Sequence, residues 1–195
     1  EESLDLSKLI VGSQGTLGII SEITFRLVEA KKHAQLLVVF LQSFEHIPEI
    51  VKAVLSHKPT SFESFDDHTW KLAIKYFYGF APTLNKSVVG TGLTFFPDIW
   101  YWLRYGAPKM TLLIEFEGDS EEEVSGNIEK VAGEINKFAG ITVRHAGSGP
   151  ERQQYWAMRR ESFNLLRQRV KNKVASPFID DIIVDPQTLA EFLPQ

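Results

Sequence analysis

The feature that most constrains the fold is a strand–helix–strand pattern in the second half of the chain. Residues 110–117 form a largely apolar run typical of a strand, and Ser120 with Glu123 forms a capping box that predicts a helix N-terminus. Gly140 predicts the end of that helix, and residues 141–145 predict a second strand. Apolar residues recur every three or four positions and place one helix face against a core: Val124, Ile128, Val131, Ile135 and Phe138.

An earlier stretch repeats this architecture, although the two copies share no visible sequence identity. Residues 36–41 predict a central strand, and Ser43 begins a helix that Pro59 ends. Residues 60–65 predict the next strand, and a helix follows over residues 68–78. Two such passes favour an α+β fold of ferredoxin-like kind, with an antiparallel sheet and helices packed on one face.

The remaining segments carry less regular patterns. Glycines and prolines divide residues 79–109, which we interpret as a long insertion with one short helix near its end. Its aromatic cluster, residues 95–105, would suit a lid or a membrane-facing patch, but core packing is the commoner role. A long helix is predicted over residues 150–172, followed by a buried strand over 178–184 and a terminal helix from Pro186.

Composition and charge exclude several classes of function. The 195 residues carry a formal net charge of −4 and an isoelectric point near 5.8, which offers no basic surface for nucleic acid. The longest apolar run is far shorter than the roughly 20 residues that span a bilayer. The chain has no cysteine and its five histidines lack metal-ligand spacing, so no metal site is predicted. These properties are typical of a cytoplasmic protein, with peripheral attachment to the inner membrane left open.

A glycine-rich segment lies between two strand-like stretches in residues 8–28, which together predict a hairpin-like unit. The segment reads Gly-Ser-Gln-Gly-Thr-Leu-Gly over residues 12–18, and its small side chains let backbone N–H groups approach a phosphate or a ring edge. It lacks the Gly-Lys-Ser/Thr of a phosphate-binding loop and the spacing of a dinucleotide-binding fingerprint. On its own, the segment favours an ordinary turn over a ligand-binding loop.

A longer motif surrounds these glycines in residues 9–27, which read Leu-Ile-Val-Gly-Ser-Gln-Gly-Thr-Leu-Gly-Ile-Ile-Ser-Glu-Ile-Thr-Phe-Arg-Leu. It resembles the end of the flavin domain in the FAD-linked oxidase family, whose members have a vanillyl-alcohol-oxidase (PCMH) type FAD fold. The resemblance implies that residues 1–30 are the tail of an FAD-binding domain and residues 31–195 an incomplete C-terminal cap domain. Gln14 stands where the family usually has Glu. The resemblance also implies that seven residues contact FAD: Gln14, Gly15, Thr16, Leu17, Gly18, Ile19 and Ile20.

The resemblance extends to two further motifs. Residues 155–160, Tyr-Trp-Ala-Met-Arg-Arg, resemble the family's Trp-x-x-Arg, whose Arg grips the substrate carboxylate, and this implies that Arg159 binds substrate. A planar guanidinium suits that task because it can pair with both carboxylate oxygens, whereas an arginine without such a motif more often lies on a solvated face. Glu63 and Asp66 resemble the family's Glu-x-x-Asp at the start of a helix, where we favour a helix N-terminus.

The activity implied by the resemblance is oxidation of a D-2-hydroxy acid, such as lactate, glycolate or 2-hydroxyglutarate, by hydride transfer to FAD. Relatives that act on 2-hydroxyglutarate carry a lysine after the long helix, and residues 177–186 contain none. The family's histidine-rich motif has no counterpart here, so any divalent metal or iron–sulfur cluster would be held elsewhere in the parent protein. No residue of this chain is assigned a catalytic role, and no motif identifies the electron acceptor.

Two alternatives remain open from the sequence. The strand–helix–strand passes alone would suit a ferredoxin-like binding or regulatory module without catalysis, although such a module has no reason to carry residues 8–27. A non-dehydrogenase member of the flavin family, such as an ether-lipid synthase, would share the glycine segment. Whether the parent flavoprotein is a dehydrogenase or another member of the family, we expect this chain alone to bind no FAD, because the residues that hold adenine and pyrophosphate would precede Glu1. We also expect residues 8–28 to pack on the cap or on a second copy of the chain.

Overall fold

The computed structural model describes residues 5–75, 100, 104, 106–169 and 184–193, with backbone only for residues 72–75 and 162–169. The chain divides into two compact units, Glu1–Ala30 and Lys31–Gln195. The predictions for the aromatic insertion and for the strand over residues 178–184 lie outside the described residues. Within the described part of the chain, no helix is long and apolar enough to cross a membrane.

The second unit contains a four-stranded antiparallel sheet. In chain order its strands are β1 (His33–Leu41), β2 (Ser61–Asp66), β3 (Met110–Gly118) and β4 (Ile141–Gly147). They lie side by side in the order β2-β3-β1-β4, and each neighbouring pair is antiparallel. The prediction of an α+β fold built on an antiparallel sheet is therefore confirmed.

Six helices are numbered along the described residues. The last of them follows a short 3₁₀ helix, Pro186–Thr188. In chain order they are α1 (Ser7–Ile10), α2 (Ile47–Ser56), α3 (Asp67–Lys75), α4 (Glu121–Ile135), α5 (Pro150–Arg169) and α6 (Leu189–Phe192).

The two central strands, β1 and β3, are buried on both faces of the sheet; β1 is apolar toward both, whereas β3 carries Thr111 and Glu115 on one of them. Residues 36–41 of β1 are all buried, and β3 is buried at every position except Glu117. The strands pair with Leu37 opposite Ile114 and Val39 opposite Leu112. Because a strand that is apolar on both sides must be shielded from water on both sides, each face of this sheet requires a cover.

The first face is covered by α2 and α4, the helices that connect β1 to β2 and β3 to β4. The predicted N-cap of α4 is confirmed, since the Glu123 N–H donates to the Ser120 hydroxyl at 3.2 Å, while the Glu123 carboxylate accepts a hydrogen bond from the Asp119 N–H. The predicted start of the earlier helix at Ser43 is wrong, because α2 begins at Ile47 and has Pro48 in its first turn. The core on this face contains only apolar side chains: Leu37, Val39, Leu41, Ile47, Ile50, Val54, Met110, Leu112, Ile114, Phe116, Val124, Ile128, Val131, Ala132 and Ile135.

The second face is also covered by helices, which corrects the prediction that helices pack on one face of the sheet. Here α3 and α5 bury Trp70, Tyr155 and Met158 against the strands. The physical reason lies in residues 36–41, where six consecutive apolar side chains alternate between the two faces and leave neither face suited to water. The strand residues of this second core are Leu36, Val38, Phe40, Phe65, Leu113 and Ala146.

The described end of the chain packs on the first face. The Asp185 side chain accepts a hydrogen bond from the Gln187 N–H at 2.9 Å and so caps the 3₁₀ helix. Leu189 and Leu193 then pack against the apolar core of this face. The prediction of a terminal helical segment that begins at Pro186 is confirmed.

The first unit does not contain the predicted hairpin. α1 occupies Ser7–Ile10, where a strand was expected, and residues 19–32 contain no strand. An alternating segment becomes a strand only when a neighbour pairs with its backbone N–H and C=O groups, and the described residues supply no such neighbour. Its apolar side chains are exposed, Ile19 and Leu27 among them. Packing of this segment on the cap or on a second copy stays a prediction.

Candidate functional site

A buried carboxylate on β3 organises the second face of the sheet. Glu115 is 6% exposed. Its Oε2 and Oε1 accept hydrogen bonds from Nε and Nη2 of Arg152 on α5, at 2.5 and 2.9 Å. Trp156, one turn further along α5, donates its Nε1–H to Oε2 of Glu115 at 2.7 Å. One carboxylate therefore holds two successive turns of α5 against the sheet.

The charge of Glu115 is balanced by Arg152. The hydrogen bonds to Glu115 raise the pKa of the Arg152 guanidinium above its usual value, and partial burial opposes that rise. Removal of either partner would leave the other charged and poorly hydrated. The pair uses both carboxylate oxygens and two guanidinium nitrogens, so we assign it to fixing α5 and not to binding a small molecule.

A second acid–arginine pair lies further along the same side of α5. Arg159 Nε is 3.1 Å from Oε2 of Glu63 on β2, and the two side chains are 44% and 42% exposed. Arg160 occupies the next position, where its side chain is 70% exposed and its Nε lies 3.5 Å from Glu161. Arg159 is thus exposed but pairs with a residue of the sheet, whereas Arg160, which points about 100° away around the helix, lies mostly in solvent.

An aromatic cluster supports the helix that carries Arg159. Trp70 on α3 donates its Nε1–H to the Thr111 hydroxyl of β3 at 2.8 Å. The Trp70 ring meets the Tyr155 ring of α5 almost edge-on, with centroids 6.5 Å apart. The rings of Phe65 and Phe40 also contact Trp70, at centroid distances of 5.7 and 6.2 Å. Such tilted contacts stabilise aromatic pairs beyond their buried area, so α3 and α5 are fixed to one another and to the sheet.

The acidic residues that begin α3 cap the helix. Asp66 Oδ1 accepts a hydrogen bond from the Thr69 N–H at 2.9 Å. A hydrogen bond from Lys71 lowers the pKa of Asp67, and partial burial opposes this shift. Ligand atoms of Asp66, Asp67 and His68 lie within 4.8 Å of one another, a spacing that a metal ion could use. Their hydrogen bonds and ion pairs within this turn are those of a helix N-terminus. The prediction of a helix N-terminus is therefore confirmed for Asp66 but wrong for Glu63, which lies within β2.

The glycine segment forms a left-handed turn in the first unit. Gly12, Gln14 and Gly15 have φ values of 83°, 49° and 77°, a region that favours glycine. Thr16 closes the turn by donating its N–H and its hydroxyl to the Ser13 carbonyl, at 3.0 and 2.7 Å. Residues 14–20 are all exposed, which leaves their backbone accessible. Of the site residues predicted from sequence, these seven lie in the first unit and Arg159 lies in the second.

Sequence reasoning missed Glu115 and the pairing of Glu63 with Arg159. The available signal for Glu115 was a single acidic residue inside an apolar strand that is buried on both faces. Arg152 and Trp156 are four residues apart and therefore lie on one side of a helix, which indicated that they could share a partner.

Comparisons with known proteins extend these observations. Residues 30–195 match the family described as FAD linked oxidases, C-terminal domain. The chain is 25% identical over 199 residues to a D-2-hydroxyglutarate dehydrogenase of Pseudomonas putida, an alignment that covers 97% of this chain and 18% of that protein. It is 26% identical over 190 residues to a D-lactate dehydrogenase of Anaerostipes hadrus, which covers 96% of this chain and 36% of that protein. The chain thus spans well under half the length of these relatives.

Solved structures share the fold. Two structures of alkyldihydroxyacetonephosphate synthase align with TM-scores of 0.57 and 0.58 at 19% and 21% sequence identity. These alignments cover 86% and 85% of this chain and 29% of each of those chains. At such low identity, the likeness concerns the arrangement of sheet and helices alone.

Proposed function

The chain belongs to the family of FAD linked oxidases, C-terminal domain, and on this premise we propose that it is part of a flavoprotein that oxidises a D-2-hydroxy acid. Two of its relatives are named as dehydrogenases of D-2-hydroxyglutarate and D-lactate, which supports this substrate class. Both acids carry a carboxylate beside the carbon to be oxidised. A site for either acid therefore needs a cation that can hold this carboxylate in a fixed orientation.

The observation that carries the proposal is the position of Arg159. Its guanidinium already has the carboxylate of Glu63 beside its Nε, at 3.1 Å. Contacts with Glu115 and with the aromatic cluster hold α5 against the sheet, so the backbone that carries Arg159 has a fixed position. We assign Arg159 the task of binding the substrate carboxylate, because a planar guanidinium can pair with both oxygens.

The first unit would supply contacts to the flavin. We propose that residues 1–30 end an FAD-binding domain and that residues 31–195 belong to the substrate-side cap domain. The exposed left-handed turn around Gln14 and Gly15 fits this role, since its backbone can approach a ring edge closely. The proposed contacts are Gln14, Gly15, Thr16, Leu17, Gly18, Ile19 and Ile20.

A bound FAD would supply the oxidation chemistry by accepting a hydride from the substrate C2, and the hydroxyl proton would be taken by a base that we assign to no residue of this chain. The contribution of this chain is to bind and to orient. With its carboxylate held by Arg159, the acid loses most of its rotational freedom, and the C2 hydrogen can be aimed in one direction. Interactions of this kind act on binding and on alignment in the transition state, so their loss should reduce kcat/KM.

The test replaces Arg159 with alanine in the flavoprotein. A charge-assisted pair with a carboxylate contributes on the order of 2 to 4 kcal/mol in a partly dry pocket, so kcat/KM should fall roughly 30- to 1,000-fold. Flavin content should not change. The measurement is steady-state turnover of D-lactate and D-2-hydroxyglutarate with a dye as electron acceptor.

Arg160→Ala is the matched control, because it removes the same charge from the adjacent position. Arg160 is far more exposed than Arg159 and points elsewhere, so its removal should change kcat/KM much less. Equal losses at the two positions would show that net positive charge matters and that Arg159 does not grip the carboxylate. The absence of any loss at Arg159 would contradict the proposed function of this side chain.

A further inference from the structure

Glu63, a partner of Arg159, differs in kind from Glu115, a partner of Arg152. Both are glutamates on the second face of the sheet, since Glu63 lies two residues before Phe65 and opposite Leu113 in the strand register. Glu115 is almost fully buried and makes three hydrogen bonds to α5. Glu63 is about two-fifths exposed. The first pair is therefore built into the fold, whereas the second is open to exchange with solvent.

We propose that Glu63 occupies the Arg159 guanidinium when no substrate is bound and that the substrate carboxylate displaces it. This inference rests on the proposed function of Arg159. Glu63 offers the same chemical group as the substrate, a carboxylate, to the same cation. Exposed ion pairs contribute little to stability, so the pair can separate without unfolding the strand or the helix. Glu63 is then a competitor whose removal strengthens substrate binding.

The same arrangement makes Glu63 a specificity-determining residue. After displacement, its charge stays attached to β2 close to Arg159, where it repels further negative charge on the ligand. A 2-hydroxy acid with one carboxylate neutralises Arg159 and presents no second charge to Glu63. A dicarboxylate such as 2-hydroxyglutarate does present one. The geometry therefore favours acids with a single carboxylate, and Glu63 lowers affinity for dicarboxylates more than for monocarboxylates.

The experiment is Glu63→Gln in the flavoprotein, which removes the charge and preserves the shape of the side chain. We expect KM for D-lactate to fall about two- to fivefold, and Kd for D-lactate measured by calorimetry to fall by a similar factor. The effect on D-2-hydroxyglutarate should be larger. The ratio of kcat/KM for D-2-hydroxyglutarate to that for D-lactate should therefore rise at least about twofold.

Glu129→Gln is the matched control, since it removes one negative charge from an exposed position on α4, across the sheet. It should leave both KM values unchanged. An increase in KM with Glu63→Gln would overturn the inference, because it would show that Glu63 helps to position Arg159 for binding. An unchanged KM would also overturn it, because it would show that the ion pair has no effect on substrate binding. A fall in KM without a rise in the selectivity ratio would overturn the specificity role.

A double variant separates this inference from the proposed function. If Glu63 acts mainly by competing for Arg159, then the fall in KM for D-lactate caused by Glu63→Gln should be clearly smaller in an Arg159→Ala background, where only the repulsion between Glu63 and the substrate remains. If Arg159→Ala alone has no effect, the proposed function of Arg159 fails, and the inference fails with it. If Arg159→Ala weakens turnover while Glu63→Gln gives no gain, only the inference about Glu63 fails.

Discussion

The two faces of the sheet are built on different principles. On the first face, α2 and α4 meet the strands through a core whose buried side chains are all apolar. On the second face, α3 and α5 meet the same strands through apolar contacts combined with a partly buried ion pair, an indole–hydroxyl hydrogen bond and a buried amide. β1 and β3 thus contribute an apolar surface to the first face and a partly polar surface to the second.

The two kinds of contact have different effects on a helix: apolar contacts mainly stabilise its packing, whereas hydrogen bonds also fix its orientation. Apolar contacts are favourable in many nearly equivalent arrangements, so they stabilise a helix without fixing its rotation closely. Hydrogen bonds have directions, and the bonds from Arg152 and Trp156 to Glu115 fix how far α5 is rotated about its axis. The helix with the predicted substrate-binding residue is therefore the helix whose orientation is specified by polar contacts.

The largest effect that would test this comparison comes from Glu115→Ala. The substitution leaves Arg152 charged in a mostly buried position and removes the acceptor of Trp156, so the free energy of unfolding should fall by about 2 to 3 kcal/mol. The substrate KM of the flavoprotein should also rise, because α5, which carries Arg159, is no longer held in one orientation. Chemical denaturation and steady-state kinetics measure the two quantities.

Ile128→Ala on the first face is the control for Glu115→Ala. Ile128 is a buried apolar residue of α4, and its truncation should lower the free energy of unfolding by about 2 to 4 kcal/mol. It should leave the substrate KM unchanged, since Ile128 belongs to the core of the opposite face from α5. If the two variants raise KM equally, the faces do not differ in function and the comparison is wrong.

The architecture could be predicted from sequence wherever the signal was local. The N-cap at Ser120 and the apolar run of β3 each depend on a few neighbouring residues, and both are confirmed. The predicted end of the helix at Gly140 is wrong, because α4 ends at Ile135 and Gly140 lies in the turn before β4. The predicted hairpin in residues 8–28 is wrong because an alternating pattern states only that a strand would be half-buried. It does not state which neighbour would complete the sheet, and no partner strand lies among the described residues.

The candidate site was less accessible to sequence reasoning. Arg159 came from a motif that resembles a family, and helix geometry alone could not separate it from Arg160. The contact between Glu115 and Arg152 joins residues 37 positions apart. It depends on how α5 lies across β3, which no local pattern records. The single acidic residue in an apolar strand, Glu115, indicated an unusual position, but the sequence did not identify Arg152 as its partner.

A smaller effect is expected from Thr111→Val, which tests the indole–hydroxyl bond of the second face. Thr111 is fully buried and accepts a hydrogen bond from Trp70 Nε1 at 2.8 Å. Valine has a similar shape but offers no acceptor, so a buried N–H is left unpaired and the free energy of unfolding should fall by about 1 to 2 kcal/mol. Thermal and urea unfolding provide the measurement.

The control for Thr111→Val is a double-mutant cycle with Trp70→Phe. Phenylalanine has no N–H, so the additional loss caused by Thr111→Val should largely disappear in that background. An undiminished loss would show that Thr111 acts through packing alone, and the second face would then resemble the first more closely than we infer.

The smallest effect, and the one of opposite sign, is expected at Gln154 on α5. Its side chain is 2% exposed, and within the described part of the chain neither amide atom has a hydrogen-bond partner. Burial of an unpaired amide is unfavourable, while methionine has similar length, similar helix propensity and no such group. Gln154→Met should therefore raise the free energy of unfolding by about 0.5 to 1 kcal/mol, or Tm by about 2 to 4 °C.

The control at this position is Gln153→Met, because Gln153 is the exposed neighbour on the same helix and its amide is hydrated in both folded and unfolded chains. This substitution should change the free energy of unfolding by less than about 0.5 kcal/mol. A loss of stability with Gln154→Met would mean that the amide is satisfied in the folded protein. A gain would show that the unpaired amide of Gln154 lowers the stability of the second face, unlike the hydrogen-bonded polar groups of that face.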